Sequence, residues 1–188
     1  RPIAILSNFA KIFEICLYVR IYPILSLCIT PQQHGFMSNR STLTNLTVFS
    51  QFIANAIDYN HGQVDVVYTD FSKAFDTIVH NILIAKLVWF GFSSALINLF
   101  ASYLNNRRLY VSHQGFRSRR FIATSGVPQG SNLGPLLFNL FINDLVSSLQ
   151  THNLLFADDL KIYNTISDSN DCTCLLYTSP SPRDGLLS

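Results

Sequence analysis

The sequence predicts an α+β fold in which helices pack on one face of a mainly antiparallel sheet. Three observations carry that expectation. Apolar side chains recur every three to four positions at Leu43, Leu46, Phe49, Ile53 and Ile57, the spacing of an amphipathic helix. Residues 64–69 are rich in β-branched side chains, and 154–163 places a carboxylate-bearing turn between two apolar runs, so they read as a strand and a hairpin. Along the chain the elements run helix, helix, strand, helix, helix, hairpin, helix, hairpin, a mixed order that argues for α+β packing.

At 188 residues, with 48% hydrophobic and 13% charged residues, the chain can hold one domain with a sizeable core, or one domain and part of another. Charged residues usually make up about 25%, which suggests that some of the surface is meant to be covered. The formal charge of +2 says little, but Arg107, Arg108, Arg117, Arg119 and Arg120 fall within fourteen positions.

Each element has a local reason. Residues 7–29 fit a helix with Ser7 as N-cap, and Pro23 should bend or end it. Lys11, Glu14, Arg20 and Pro23 interrupt this apolar stretch, so it reads as a core helix of a soluble protein rather than a membrane span. Ser41 or Thr42 caps a second helix through Ala56. Val64–Thr69 is a strand delivering Asp70 at its end. A helix from about Thr77 to Phe90 stops at Gly91, which can take the left-handed position after a helix, and Asp76 is placed to cap its start. Ser93 or Ser94 caps the next helix, through Leu104. Arg108–His113 and Arg119–Thr124 alternate like two strands around Gln114-Gly115. A loop with Pro128, Gly130 and Gly134 then enters an apolar helix, Leu136–Ser147. Cys16 and Cys28 form no metal-binding pattern and read as buried free thiols of a reducing compartment.

The chemistry centres on Asp158 and Asp159, expected together in the hairpin turn. Adjacent carboxylates repel, and a divalent cation held between them and a third carboxylate relieves the repulsion. Asp70 is the candidate third. If the three converge they can hold two cations about 4 Å apart, an arrangement that serves in-line phosphoryl displacement and so nucleotidyl transfer. An Asp pair in a turn is also common without any metal. Loop 125–131 has an equally open double reading: a helix-entry turn, or a place where glycine lets backbone approach a flat ligand. The Arg cluster reads as a solvated basic face or as a track for phosphates, and Phe75 as core or functional.

In this order the pieces resemble the reverse transcriptase of LINE-type, non-LTR retrotransposons, and the jockey-like elements in particular. Phe156-Ala-Asp-Asp159 resembles that family's catalytic box, and Tyr68-Thr-Asp-Phe-Ser-Lys-Ala-Phe-Asp76 its first-aspartate box. Ser125-Gly-Val-Pro-Gln-Gly-Ser-Asn-Leu-Gly-Pro135 resembles its nucleotide-and-template box. Arg1-Pro-Ile3, Gln33-His-Gly-Phe36 and Asn39-Arg-Ser-Thr42 resemble upstream fingers motifs.

The resemblance implies a polymerase palm in residues 63–171, with inserted helices and the Arg-rich hairpin, and partial helical fingers in 1–62. Asp70, Asp158 and Asp159 would be catalytic and would hold two Mg²⁺ ions, Mn²⁺ being an alternative. Phe75 would be the steric gate against a ribose 2′-hydroxyl, Gln129 and Gly130 would line the nucleotide pocket, and Arg1 would contact the triphosphate. The implied partners are an RNA template, a DNA primer and deoxynucleotides, met in cytoplasm and nucleus, without a membrane. The family's endonuclease and thumb have no counterpart in the sequence, so the expectation is a fragment, with a catalytically inactive nucleic-acid-binding remnant as the alternative. Met37 stands where the family usually has Arg, and Val79 where Asp often precedes His80. From Cys174 the text, Leu175-Leu-Tyr-Thr-Ser-Pro-Ser-Pro-Arg-Asp-Gly185, resembles translated sequencing adapter, so 172–188 is expected to be non-native or disordered.

Overall fold

The computed structural model describes residues 3–59, 63–166 and 171; Arg1 and the segment 172–188 lie outside them. Two compact units are assembled from interleaved stretches of chain, one within Arg1–Tyr18 and Lys73–Phe141, the other within Val19–Ser72 and Ile142–Ser188.

The second unit holds the main sheet. β1 (Gln63–Asp70), β6 (His152–Phe156) and β7 (Asp159–Ile166) pair antiparallel in the order β1-β7-β6, and α2 (Thr42–Asp58) packs on one face. Phe49 and Phe52 of α2 meet the Tyr163 ring edge-on at 5.1 and 4.8 Å, and Leu154, Ile53 and Val66 complete this cluster. The α2 start matches the expectation: Ser41 Oγ accepts from Thr44 N–H while Thr44 Oγ1 accepts from Ser41 N–H, a reciprocal cap that satisfies two otherwise orphaned donors.

The first unit is helical around a short hairpin. α3 (His80–Trp89) packs on α4 (Ser94–Leu104), and Ser93 caps α4 through Leu96 N–H. Gly91 follows α3 at φ +81°, as its position after the helix requires. α5 (Gly134–Ile142) is enclosed, with Leu136, Leu137, Phe138, Leu140 and Phe141 all buried. The basic hairpin has two ladders, β2 (Arg107–Leu109) with β5 (Phe121–Ala123) and β3 (Ser112–His113) with β4 (Phe116–Arg117). Their registers differ by one residue, so a bulge lies on the returning strand. Gln114 and Gly115 form the turn, both at positive φ, as a two-residue hairpin loop prefers.

Several expectations are corrected. α3 begins at His80, not Thr77, and its N-cap is Val79 with no side-chain bond, so Asp76 does not cap it. Asp76 and Thr77 N–H groups instead close a turn on the Lys73 carbonyl, with Lys73 at φ +54°. The helix expected over 136–147 breaks into α5 and α6 (Leu145–Ser148). At the break, Asn143 Oδ1 accepts from Thr30 N–H at 2.7 Å and Nδ2 donates to Cys28 O at 3.0 Å.

α1 (Asn8–Leu25) contains Pro23 in its last turn and is no core helix, since Phe9, Ile12, Val19 and Ile24 are exposed. Only a narrow stripe through Glu14, Ile21 and Leu25 is buried. Cys16 is free but exposed, because it sits about 200° around the helix from Glu14. Cys28, past the helix end, is also free and exposed. Among the described residues no helix is long and apolar enough to cross a membrane.

Candidate active site

The turn joining β6 to β7 differs in detail from the expectation. Phe156 pairs with Asp159, so the two-residue loop is Ala157-Asp158, and Asp159 is already the first residue of the central strand. Ala157 takes φ +56°. The displacement matters chemically, because it sets Asp159 directly opposite Asp70 in the β1–β7 ladder. Residues directly opposed in an antiparallel pair share a face, and like charges there repel. Both aspartates line a cleft of about 490 Å³ with Thr42, Asn45, Tyr68 and Lys161. Asp158, half-buried in the turn, is not among the residues lining it.

Among the described residues no group of three or more His, Cys, Asp or Glu is placed to hold a metal ion. The opposed pair Asp70 and Asp159 nonetheless offers two hard oxygen donors, the number Mg²⁺ commonly takes from protein when substrate phosphates and water complete its shell. Lys161, two residues along the same face, is nine-tenths buried. Its ammonium lies 3.4 Å from Asn45 Oδ1 and above the Phe49 ring, and burial pulls its pKa below the usual lysine value.

Sequence reasoning missed the polar groups that hold this turn. Gln33 is fully buried. Its Oε1 accepts from Ala157 N–H at 2.9 Å and Gly35 N–H at 2.8 Å, and its Nε2 donates to Ala157 O at 3.3 Å. The neighbouring backbone pairs with β6: His34 N–H donates to Leu155 O and Leu155 N–H to Gln32 O. Arg40 Nη1 donates to the carbonyls of Thr30 and Gln33. His34 Nδ1 lies 2.8 Å from Thr44 Oγ1, and burial, then the nearby Arg40 charge, lowers its pKa. The sequence signal available was the Gln33-His-Gly-Phe36 motif itself, without a hint of what the glutamine bonds.

The remaining candidates lie in the first unit. Phe75 is buried and stacks on Phe138, centroids 4.4 Å apart and planes 19° from parallel. Its carbonyl accepts from Val127 N–H at 2.8 Å, Ser125 Oγ donates to Asp76 O, and Gly126 N–H donates to Ile78 O. His80 Nε2 donates to Gly126 O at 2.9 Å. Residues 75–80 and the start of loop 125–131 are thus tied together by two backbone bonds and two side-chain bonds. Gly126 is obligatory there: at φ +82°, a Cβ would stand 2.8 Å from Asp76 Cα and from the carbonyl oxygens of Phe75 and Asp76. Gly126→Ala is expected to destabilise the fold by about 2–4 kcal/mol, combining left-handed strain with overpacking, which urea unfolding will measure.

In the same loop Gln129 is half-buried and its carbonyl accepts from Ala4 N–H, while Gly130 is exposed at φ +92°. Glu14, visible in the sequence only as an interruption of an apolar run, is buried and accepts from Tyr103 Oη and Asn132 N–H, both at 2.7 Å. Burial is the main cause raising the Tyr103 pKa. On the basic hairpin Arg108, Arg117, Arg119 and Arg120 are exposed. Arg107 is half-buried, two of its guanidinium nitrogens lack a hydrogen-bond partner, and burial lowers its pKa.

The comparisons agree on one family. The model of the reverse transcriptase (RNA-dependent DNA polymerase) family matches residues 1–176. The protein named Probable RNA-directed DNA polymerase from transposon BS, of Drosophila melanogaster, is 32% identical over 181 residues, covering 95% of this chain and 19% of its own. That from transposon X-element of the same fly is 34% identical over 167 residues, covering 85% and 18%. The RNA-directed DNA polymerase from mobile element jockey, also from this fly, is 28% identical over 172 residues, covering 86% and 19%. The chain therefore spans about a fifth of the length of these relatives. Among solved structures, telomerase from Candida tropicalis in complex with a telomeric RNA fragment shares the fold at TM-score 0.66 and 12% identity, over 91% of this chain and 33% of that one. With its family model matched over nearly its whole length, the chain belongs to the reverse transcriptase family.

Proposed function

We propose that this chain is the fingers-and-palm portion of an RNA-directed DNA polymerase, residues 1–62 serving the fingers and 63–171 the palm. It would add deoxynucleotides to the 3′-hydroxyl of a DNA primer along an RNA template. The observation that carries this reading is the β1–β7 register, which opposes Asp70 and Asp159 at the end of a sheet, with Asp158 next to them in the turn.

Reverse transcriptases generally use divalent metal ions. Two Mg²⁺ ions bound at these carboxylates would polarise the attacking hydroxyl and offset charge on the departing pyrophosphate. The chain's own work is positioning. The eight-pair β1–β7 ladder holds Asp70 and Asp159 at a set separation, and the turn presents Asp158. In loop 125–131, the backbone ties from Gly126 and Val127 support Gln129 and Gly130 as lining for the incoming nucleotide. At Gly130, φ +92°, the place a Cβ would take is closed off by the N-terminal segment, with Ile3 Cγ2 standing 2.8 Å from it. Phe75, held against Phe138, would serve as the gate that rejects a ribose 2′-hydroxyl. The role proposed for Arg1 falls outside the described residues.

Charge is divided in a way that supports the reading. The ranges of the first unit carry nine Lys and Arg against two acidic residues, whereas those of the second carry four against nine. No Asp or Glu occurs between Asp76 and Asp144. The basic hairpin adds exposed Phe116 and Phe121 to its exposed arginines, a combination suited to phosphates and unstacked bases.

RNA-templated primer extension by the 188-residue chain with Mg²⁺ tests the proposal. Extension is expected, and Asp158→Asn should abolish it. RNA binding without extension, indifferent to Asp158→Asn, would establish the inactive nucleic-acid-binding remnant instead.

A further inference from the structure

We infer that Gln33 is a positioning residue for the aspartate turn, acting through the backbone of Ala157 rather than by touching substrate. The inference rests on the polymerase reading above. Gln33 is fully buried, and its amide addresses both backbone groups of a single residue, donating to Ala157 O and accepting from Ala157 N–H. This is the pairing a neighbouring strand would provide, supplied by a side chain where the ladder has ended. Ala157 lies in the left-handed region, at φ +56°, a conformation that a non-glycine residue keeps only when its surroundings enforce it.

The enforcement has direct consequences for the carboxylates. Ala157 immediately precedes Asp158, and its conformation determines where the hairpin turns and hence that Phe156 pairs with Asp159. If Ala157 relaxed to an extended conformation, the turn would lengthen and Asp159 would lose its place opposite Asp70. Gln33 itself is anchored: Arg40 takes its carbonyl, its backbone bridges to Leu155 in parallel, and Oε1 also accepts from Gly35 N–H. Asn45 Nδ2 adds a bond to Leu155 O at 3.2 Å. The amide is thus a rigid fixture on which the turn is moulded. Sub-ångström placement of reacting groups is what such a fixture protects, and misplacement by about 1 Å can cost on the order of 100-fold in rate.

The experiment compares the 188-residue wild-type chain with Gln33→Met, which keeps length and apolar bulk but makes neither bond, and with Asp158→Asn. Mn²⁺ affinity is measured by electron paramagnetic resonance, and primer extension is resolved into kcat and KM per folded molecule. The expected result is Mn²⁺ affinity weakened about tenfold and kcat lowered about 100-fold in Gln33→Met, with the deoxynucleotide KM unchanged. Should the Met variant not fold, Gln33→Asn keeps the amide one methylene short and should show the same signature at smaller size. Wild-type Mn²⁺ affinity and kcat in a folded Gln33 variant would overturn the assignment while leaving the polymerase reading intact. Failure of the wild-type chain to show any Asp158-dependent Mn²⁺ binding or extension would overturn both.

Discussion

Replacing Asp70 or Asp159 by Asn is expected to lower primer extension by about 1,000-fold or more, while leaving the thermal midpoint unchanged or slightly raised. On the proposed reading the loss follows from removing one of two opposed carboxylates whose charge would serve the transition state, where single electrostatic groups contribute factors of about 10²–10³ and metal ligands often more. The stability effect has the opposite sign because of register. Asp70 and Asp159 face each other across β1 and β7, and like charges in that relation cost roughly 0.2–1 kcal/mol. Neutralising one relieves the cost, worth at most about 4 °C in a chain of this size. Paired extension assays and thermal melts without divalent ions check both halves. A midpoint falling by several degrees would show that the aspartates hold the fold and would overturn the repulsion argument.

Gly35→Ala should be as damaging by a different route. A Cβ on Gly35 would stand 2.1 Å from Ala157 N and 2.8 Å from Ala157 Cα, distances no side-chain adjustment can relieve because the obstacle is backbone. Either the 32–35 segment or the β6–β7 turn must retreat, and the Gln33 bonds to Ala157 and Gly35 separate as it does. The expected outcome is a loss of about 3 kcal/mol or more in folding stability, together with about 100-fold slower extension among the molecules that remain folded. Chemical denaturation followed by extension normalised to folded protein separates the two effects. Full activity in a stable Gly35→Ala chain would mean that this close approach is unimportant to the turn.

Much of the framework was legible because its causes are local. Ser41, Ser93 and Gly91 are capping residues whose chemistry acts within one helical turn, and the α2 periodicity and the Gln114-Gly115 turn are similarly self-contained. Asp70 at the end of β1 followed from a β-branched run and its terminus. What was misjudged depends on partners far along the chain. Asn143 breaks a helix because it bonds residues 28 and 30. His80, not Thr77, starts α3 because the preceding residues bond one another and loop 125–131. Cys16 is exposed because only one narrow stripe of α1 is covered. Within the site, the placement of Asp158 and Asp159 was one residue out: nothing local to Phe156-Ala-Asp-Asp159 reveals that Gln33 will claim Ala157 and draw it into the turn. Glu14 and Gln33 were visible as letters, but their buried bonds to backbone have no periodic signature.

The continuous β1–β7 ladder makes the candidate centre unusually sensitive to the counting of residues. Side chains in either strand alternate between faces, so substitutions in the body of the ladder can be absorbed where size and polarity are kept. A single inserted or deleted residue shifts the frame instead, moving one aspartate to the opposite face or past its counterpart. Among copies of such a sequence that have drifted apart, strand length would then be a sharper mark of a surviving centre than the retention of the Asp-Asp pair itself.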